Sequence, residues 1–337
     1  MAAGSALRWI QADVATIDHA VTALRAGELI AFPTETVYGL GANAADADAV
    51  ARIFALKGRP PDHPLIVHIR AQDQLQQWAA DIPPVAARLA ARFWPGPLTL
   101  ILPRAAHVNT VVTGGQDSIG IRVPAHPIAQ QLLGAFGGAI AAPSANRYGR
   151  LSPTSAADVR EEFGDAVRIV LDGGESPIGL ESTIVACLGN VARLLRPGVI
   201  TRTQIERIVG RLAEGGGDLP RTPGDRPQHY APFTPLELIA GDRIEASAAE
   251  FSSADRKVAV LAMRPAVRPL IHVTWVDAGA KPANYAHNLY HHLRTLDRLG
   301  CTRILVEVPP AREEWSAVLD RLQRASAQDR PVGMDCG

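Results

Sequence analysis

Apolar positions along this chain follow helical spacing in some stretches and run unbroken in others. Residues 14–26 repeat at helical spacing, with Gly27 as the stop. "ELIAF" (28–32) and "LIVHI" (65–69) are short continuous apolar runs and predict buried strands. "DADAVARIFALKG" (46–58) predicts a helix, with acids at its start and glycine near its end, as the dipole and the C-cap prefer. "LTLIL" (98–102), "IGIRV" (119–123), "GAIAA" (138–142), "RIVL" (168–171) and "STIVAC" (182–187) predict further strands. "PTSAADVREEFG" (153–164) opens a helix that Thr154 or Ser155 can cap. Strands and helices mix without strict alternation, which predicts an α/β domain on a mixed, twisted sheet over residues 1–212.

Periodicity stops across residues 213–235. This stretch is dense in Gly and Pro and reads as a linker. Pro223, Pro227, Pro232 and Pro235 stiffen it, while His229, Tyr230 and Phe233 can stack and hydrogen-bond. Such a segment is better suited to covering a cleft than to dangling. Beyond it, "KVAVLAM" (257–263), "IHVTWV" (271–276), a helix across 284–299, "RILVEV" (303–308) and a helix across 313–325 alternate as βα units do. They predict a smaller, doubly wound, Rossmann-like domain over 236–337.

Composition adds bounds rather than chemistry. The chain has 337 residues, 47% of them hydrophobic and 20% charged, which suits a soluble protein of two domains. Formal net charge is zero, so global charge argues for neither nucleic acid nor membrane. Cys187, Cys301 and Cys336 lie far apart, without zinc or redox spacing, and their odd number argues against a disulfide framework. No basic-then-apolar leader and no run of about 18 apolar residues is evident, so the expected setting is the cytoplasm, away from membranes.

Standard nucleotide and hydrolase motifs are missing: no G-x-x-x-x-G-K-[ST], no G-x-G-x-x-G after a strand, no G-x-S-x-G. Polar residues instead gather at strand ends. "AFPTETVYGLGANA" (31–44) carries an apolar run straight into hydroxyls, a carboxylate, a phenol and two glycines. Lys57 and Arg59 precede Pro60 and Pro61, which present the two cations rigidly, as a polyphosphate would need. A helix end with dipole-favourable cations accounts for the pair equally well. His68 sits within an apolar strand, where a core histidine is the commoner case. Arg122 is strand-embedded and needs an anionic partner, commonly a protein carboxylate, otherwise a substrate carboxylate. Ser144, Asn146, Ser152 and Thr154 cluster before a helix N-terminus, a place that favours anions. Capping explains Thr154 but not Ser144 and Asn146. Ser182 and Thr183 start a strand, and Arg196 ends one.

Taken together and in order, "PTETVYGLG", "KGRP", "PLIVH", "IRVP", "APSAN", "SPT", "ESTIV" and "LRPG" resemble the threonylcarbamoyl-AMP synthase family, over roughly residues 12–210. The linker "HYAP" and the small α/β domain after it resemble that family's long, two-domain form. The resemblance implies condensation of L-threonine, bicarbonate or CO2, and ATP into threonylcarbamoyl-AMP and pyrophosphate. A separate transferase complex then modifies tRNAs reading ANN codons. It implies a mixed twisted sheet with a basic concave face, which leaves room for contact with tRNA or double-stranded RNA. Magnesium is expected with ATP, and no dedicated metal site in the protein. Thr36, His68, Arg122, Ala142 and Ser182 fall on threonine-binding positions, and Thr34 joins them by strand geometry. Lys57, Arg59, His63, Ser118, Ser144, Asn146, Ser152, Arg196, His229 and Tyr230 fall on ATP positions, with Lys57 and Arg59 the expected catalytic cations. Gly39 and Gly41 are expected to let the backbone approach the amino acid closely.

This chain departs from the family pattern at His63, where Asn is frequent, at Tyr148, where Ser is frequent, and in the linker, which gains Asp225 and Pro227. Two other function classes compete. A carbamoyltransferase of the hydrogenase-maturation type would carry zinc-finger cysteines and further domains. A double-stranded-RNA or ribosome-assembly binder would not need a strand-embedded Arg122.

Overall fold

Local chemistry sets the element ends where the sequence placed them. Asp46 accepts the amide protons of Asp48 and Ala49 at 3.0 Å each, and Gly58 takes a left-handed conformation, φ 63°, that closes the same helix. Ser155 and Asp158 cap the helix after "SPT" reciprocally, so Ser155 rather than Thr154 is the cap. The protein is described here by a computed structural model covering residues 14–214, 219–224 and 230–327.

The described chain forms two compact units. One comprises residues up to Arg147 together with Ser152–Pro223. The other comprises Tyr148–Leu151 and the residues from Gly224 onward. The division at Pro223 falls inside the predicted linker, whose residues 219–223 belong to the first unit and 230–235 to the second.

In the first unit, α1 (Val14–Arg25) precedes β1 (Ile30–Phe32) and β2 (Gly39–Asn43), and α2 (Ala47–Lys57) precedes β3 (Ile66–His68). Then come α3 (Pro84–Phe93), β4 (Leu98–Pro103), α4 (Thr110–Thr113), β5 (Ser118–Arg122), α5 (Pro127–Phe136) and β6 (Ile140–Ala141). The unit ends with α6 (Ala156–Phe163), β7 (Ile169–Val170), β8 (Thr183–Ala186), β9 (Arg193–Arg196) and α7 (Arg202–Val209). The strands form one mixed sheet in the order β7-β1-β2-β6-β3-β5-β4-β8-β9. β3 and β5 run parallel, with His68 beside Arg122, while β4 is antiparallel to β5.

The two-residue side-chain period sorts this sheet into two faces. Val67, Leu98, Leu100, Leu102, Ile119, Ile121 and Val185 pack with α2, α3, α6 and α7 in the main core. On the opposite face, Ile30, Phe32, Ile140 and Ala142 pack with α1 and α5. The alternate positions farther along this second face are Ile66 and His68, Ser118, Gly120 and Arg122, Thr99 and Ile101, and Ser182 and Ile184. Four of the polar ones among them, His68, Ser118, Arg122 and Ser182, belong to the predicted site, and all four are buried.

The second unit contains β10 (Leu236–Ile239), α8 (Ile244–Phe251), β11 (Val258–Ala262), β12 (Val273–Asp277), α9 (Pro282–Asp297), β13 (Arg303–Glu307) and α10 (Ser316–Ser326). All its strand pairs are parallel, in the order β10-β13-β11-β12. Val258, Val260 and Ala262 pack with α8, while the intervening Ala259 and Leu261 are also fully buried, so both faces are covered. Residues 263–272 join β11 to β12 without a helix, a departure from strict βα alternation. The segment Tyr148–Leu151 is held in this unit by several bonds. Ala231 donates to the Gly149 carbonyl at 2.9 Å and Arg294 to the Leu151 carbonyl at 2.6 Å. Arg150 pairs with Asp297 at 3.4 Å and stacks on the Phe233 ring.

Candidate active site

Arg122 is the anchor. Burial of a guanidinium demands a partner, and the structure supplies a carboxylate from within the chain. Glu35 Oε1 lies 2.7 Å from Arg122 Nη2, and both side chains are almost fully buried. Nη1 donates to Thr36 Oγ1 at 2.8 Å, and Nε donates to the Gly96 carbonyl at 3.2 Å. Thr36 Oγ1 is also 2.8 Å from Thr34 Oγ1, which donates to the Val37 carbonyl. Glu35 Oε2 accepts the Ala125 amide at 3.0 Å. The "PTET" loop is thereby laid on the end of β5, and the predicted neighbours Thr34, Thr36 and Arg122 form one network.

The Arg122–Glu35 pair is close but not aligned as a hydrogen bond. Glu35 Oε1 and Arg122 Nη2 are both buried without a hydrogen-bond partner, and so is His68 Nδ1. Buried polar atoms are seldom left in this state. Burial, and after it the charge of Arg122, pushes the His68 imidazole down to about 3, so the ring is neutral at ordinary pH. Its ring stands edge-on to Phe32 at 5.9 Å.

Ser182 and Arg196 form a second cluster on the same sheet. Arg196 donates from Nε to the Ser182 carbonyl and from Nη2 to Ser182 Oγ, each at 3.1 Å. Ser182 Oγ lies 2.7 Å from Thr99 Oγ1. Arg196 Nη1 donates to the Pro223 carbonyl at 2.9 Å. Residues 219–223 are strapped down further at Arg221, which pairs with Asp62 at 3.0 Å, donates to the Gly114 carbonyl, and exchanges two bonds with Gln116. A small pocket lies under this strap, lined in part by Ser118, Gly120, Ile101, Arg221 and Pro223.

A third cluster sits at the end of α2. Lys57 Nζ donates to the carbonyls of Ser144, at 2.7 Å, and Asn146. Burial, and then the charge of Arg59, lowers its pKa well below the usual lysine range. Arg59 donates to the Pro64 carbonyl at 2.9 Å. Both cations are buried, as is His63, and Lys57 also closes the last turn of α2, where the helix dipole favours a cation. Ser152 Oγ donates to Glu181 Oε1 at 2.6 Å. Ala142 is buried against Gly39 and donates its amide to Ile66.

Gly39 and Gly41 serve packing. A Cβ on Gly41 would stand 2.8 Å from Ile140 and 2.9 Å from Phe32, and one on Gly39 would stand 3.2 Å from the same ring. The Phe32 ring makes a close approach to both glycines. Tyr230, φ 61°, is buried in the second unit, 6.0 Å from Tyr290 and beneath Arg321. His229 lies outside the described residues. Glu35, Thr99, Glu181 and Arg221 escaped the sequence reading. Glu35 left a trace, as a lone acid between two threonines, and Glu181 left one as the acid before Ser182.

Among the described residues no helix is long and apolar enough to cross a membrane, and no three His, Cys, Asp or Glu side chains cluster to hold a metal.

Comparison with known proteins identifies the family. Residues 22–198 match the Sua5–YciO–YrdC family model, described as "Telomere recombination", and residues 200–327 match that of the threonylcarbamoyl-AMP synthase C-terminal domain. The Threonylcarbamoyl-AMP synthase of Pyrococcus abyssi is 42% identical over 90% of this chain and 92% of its own length. That of Bacillus subtilis is 40% identical over 92% of each chain. The crystal structure of P. abyssi Sua5 complexed with L-threonine superposes with a TM-score of 0.84 at 42% identity, covering 92% of this chain and 94% of that one. Two matched domains and relatives of this identity along nearly the whole length place the chain in the threonylcarbamoyl-AMP synthase family of enzymes, in its two-domain form.

Proposed function

We propose that this enzyme condenses L-threonine, CO2 or bicarbonate, and ATP to threonylcarbamoyl-AMP and pyrophosphate. The observation that carries the proposal is a set of three buried, unsatisfied atoms: Arg122 Nη2 and His68 Nδ1 from neighbouring strands, and Glu35 Oε1 from the loop laid against Arg122. They are charged or polar, closed off from water, and lie next to the threonine hydroxyls that the family resemblance assigns to the amino acid. The names of the relatives and the L-threonine complex of the P. abyssi protein support the same assignment.

The reaction makes three demands. Threonine's amine must lose its proton before it attacks the carbon of CO2. The carbamate so formed is short-lived in water, so the site must be dry. A carbamate oxygen then attacks the α-phosphorus of ATP, and the bond to the departing pyrophosphate breaks, which requires alignment and dispersal of negative charge. Arg122, Thr36, Thr34, Ser182 and the neutral His68 would hold the amino acid, with Ala142 at the wall. Arg59, Arg196, His63, Ser118, Ser144, Asn146 and Ser152 would hold ATP. Lys57 would act by fixing the Ser144–Asn146 loop as much as by its charge. The family resemblance assigns His229 and Tyr230 to the nucleotide as well. Magnesium would arrive with ATP, carried by phosphate oxygens as part of the substrate.

The adenylate would pass to a tRNA-modifying transferase complex acting on tRNAs that read ANN codons, in the cytoplasm. Pyrophosphate release measured with and without L-threonine tests the core of this proposal. Release that requires threonine, bicarbonate and ATP together is the expected outcome. Binding of double-stranded RNA without any threonine-dependent release would replace it with the RNA-binder alternative.

A further inference from the structure

Glu35 has no place in the roles assigned above, yet it is the most unusual group in the site. It is a buried carboxylate on the loop between β1 and β2, with one oxygen bonded to the Ala125 amide and the other facing Arg122 out of line. Its main-chain carbonyl accepts the Ile178 amide, so the residue is held at three points and does not swing freely. A carboxylate offers about four acceptor positions, and only some are used here. A buried ion pair adds little stability over an apolar pair of the same shape. What it does provide is two opposite charges, side by side and incompletely satisfied.

That pattern is the complement of an α-amino acid, which carries an ammonium and a carboxylate on one carbon. We propose that Glu35 is a specificity residue that reads the substrate's ammonium group, its Oε1 accepting from the ammonium while Arg122 Nη2 donates to the carboxylate. The site then selects a zwitterion. A hydroxy acid would satisfy Arg122 but bring no ammonium to Glu35 Oε1, and sites built around a polar group reject analogues that lack its partner. This inference rests on the reading of the site as the threonine site.

Calorimetry on the full-length protein tests it with three ligands: L-threonine, N-acetyl-L-threonine and 3-hydroxybutanoate. The last two keep the carboxylate and hydroxyl but lack the ammonium. The unaltered protein is expected to bind both at least about tenfold more weakly than threonine. Glu35→Gln should weaken threonine by about tenfold or more while leaving 3-hydroxybutanoate within about threefold, so discrimination narrows. Equal weakening of both ligands, or unchanged threonine affinity in the folded variant, overturns the proposal. So does tight binding of N-acetyl-L-threonine by the unaltered protein, a result that does not depend on any variant folding. Failure of the unaltered protein to bind threonine would overturn the threonine reading itself, and with it this inference. Loss confined to Glu35→Gln effects leaves that reading standing.

Discussion

Replacing Arg122 by alanine leaves Glu35 buried with no opposite charge beside it. The expected cost is about 3–5 kcal/mol, the usual range when one member of a buried pair is removed. The Arg122→Ala, Glu35→Ala double variant should be less destabilised than Arg122→Ala alone, because no lone charge remains. Urea unfolding of the four proteins of this cycle checks it, and additive losses would contradict it. His68 gives a second signature. Its folded pKa, about 3, lies below the ordinary 6.5, so between these values the unfolded chain binds the extra proton. Its contribution to stability is therefore complete above pH 6.5 and is lost as pH falls towards 3. His68→Gln should flatten the decline between pH 6.5 and 4.5 by about 1–2 kcal/mol. At this scale the sequence revealed that Arg122 needs an anion, since a strand-embedded cation always does. It could not reveal which one, because Glu35 is distant in the chain and only folding brings the two together.

At the scale of elements, β2 was the strand hardest to foresee. Its two glycines read as room for a close approach of the amino acid, and in the fold the Phe32 ring lies close against both. Gly41→Ala is expected to cost about 1–3 kcal/mol through overpacking, and adding Phe32→Leu should recover part of that loss in thermal unfolding. Helix α2 was legible to the residue, because Asp46 and Gly58 act locally. The task of its last residue was not legible, because the carbonyls that Lys57 holds belong to a distant loop. Lys57→Met should therefore weaken ATP use and steepen its dependence on magnesium, with threonine affinity little changed. Wild-type ATP kinetics in that variant would reduce Lys57 to a packing element.

At the scale of the whole molecule, the two-domain plan was readable from the change in periodicity, and the exact boundary was not. Glycine and proline mark where regular structure stops, but they do not tell which side a segment is bonded to. Residues 219–223 are bonded to the first unit through Arg221 and the Pro223 carbonyl. Chains ending after Pro223 and after Leu212 both lose the partners of Tyr148–Leu151, so comparing them isolates the strap. The shorter chain is expected to show an ATP KM at least about fivefold higher, a difference of about 1 kcal/mol. Equal values would make the strap dispensable.

The membership of Tyr148–Leu151 in the second unit has a consequence for the order of events during synthesis. Arg150 leaves the ribosome roughly 150 residues before Asp297, which at about 5–20 residues per second is a wait of roughly 7–30 s. Ala231 and Phe233 follow partway through that interval, and Arg294 and Asp297 only at its end. The candidate nucleotide-site residues Asn146 and Ser152 flank this segment in the sequence. Stalled chains released at successive lengths should be cut readily by trypsin at Arg150 until about residue 297 is exposed, and resist thereafter.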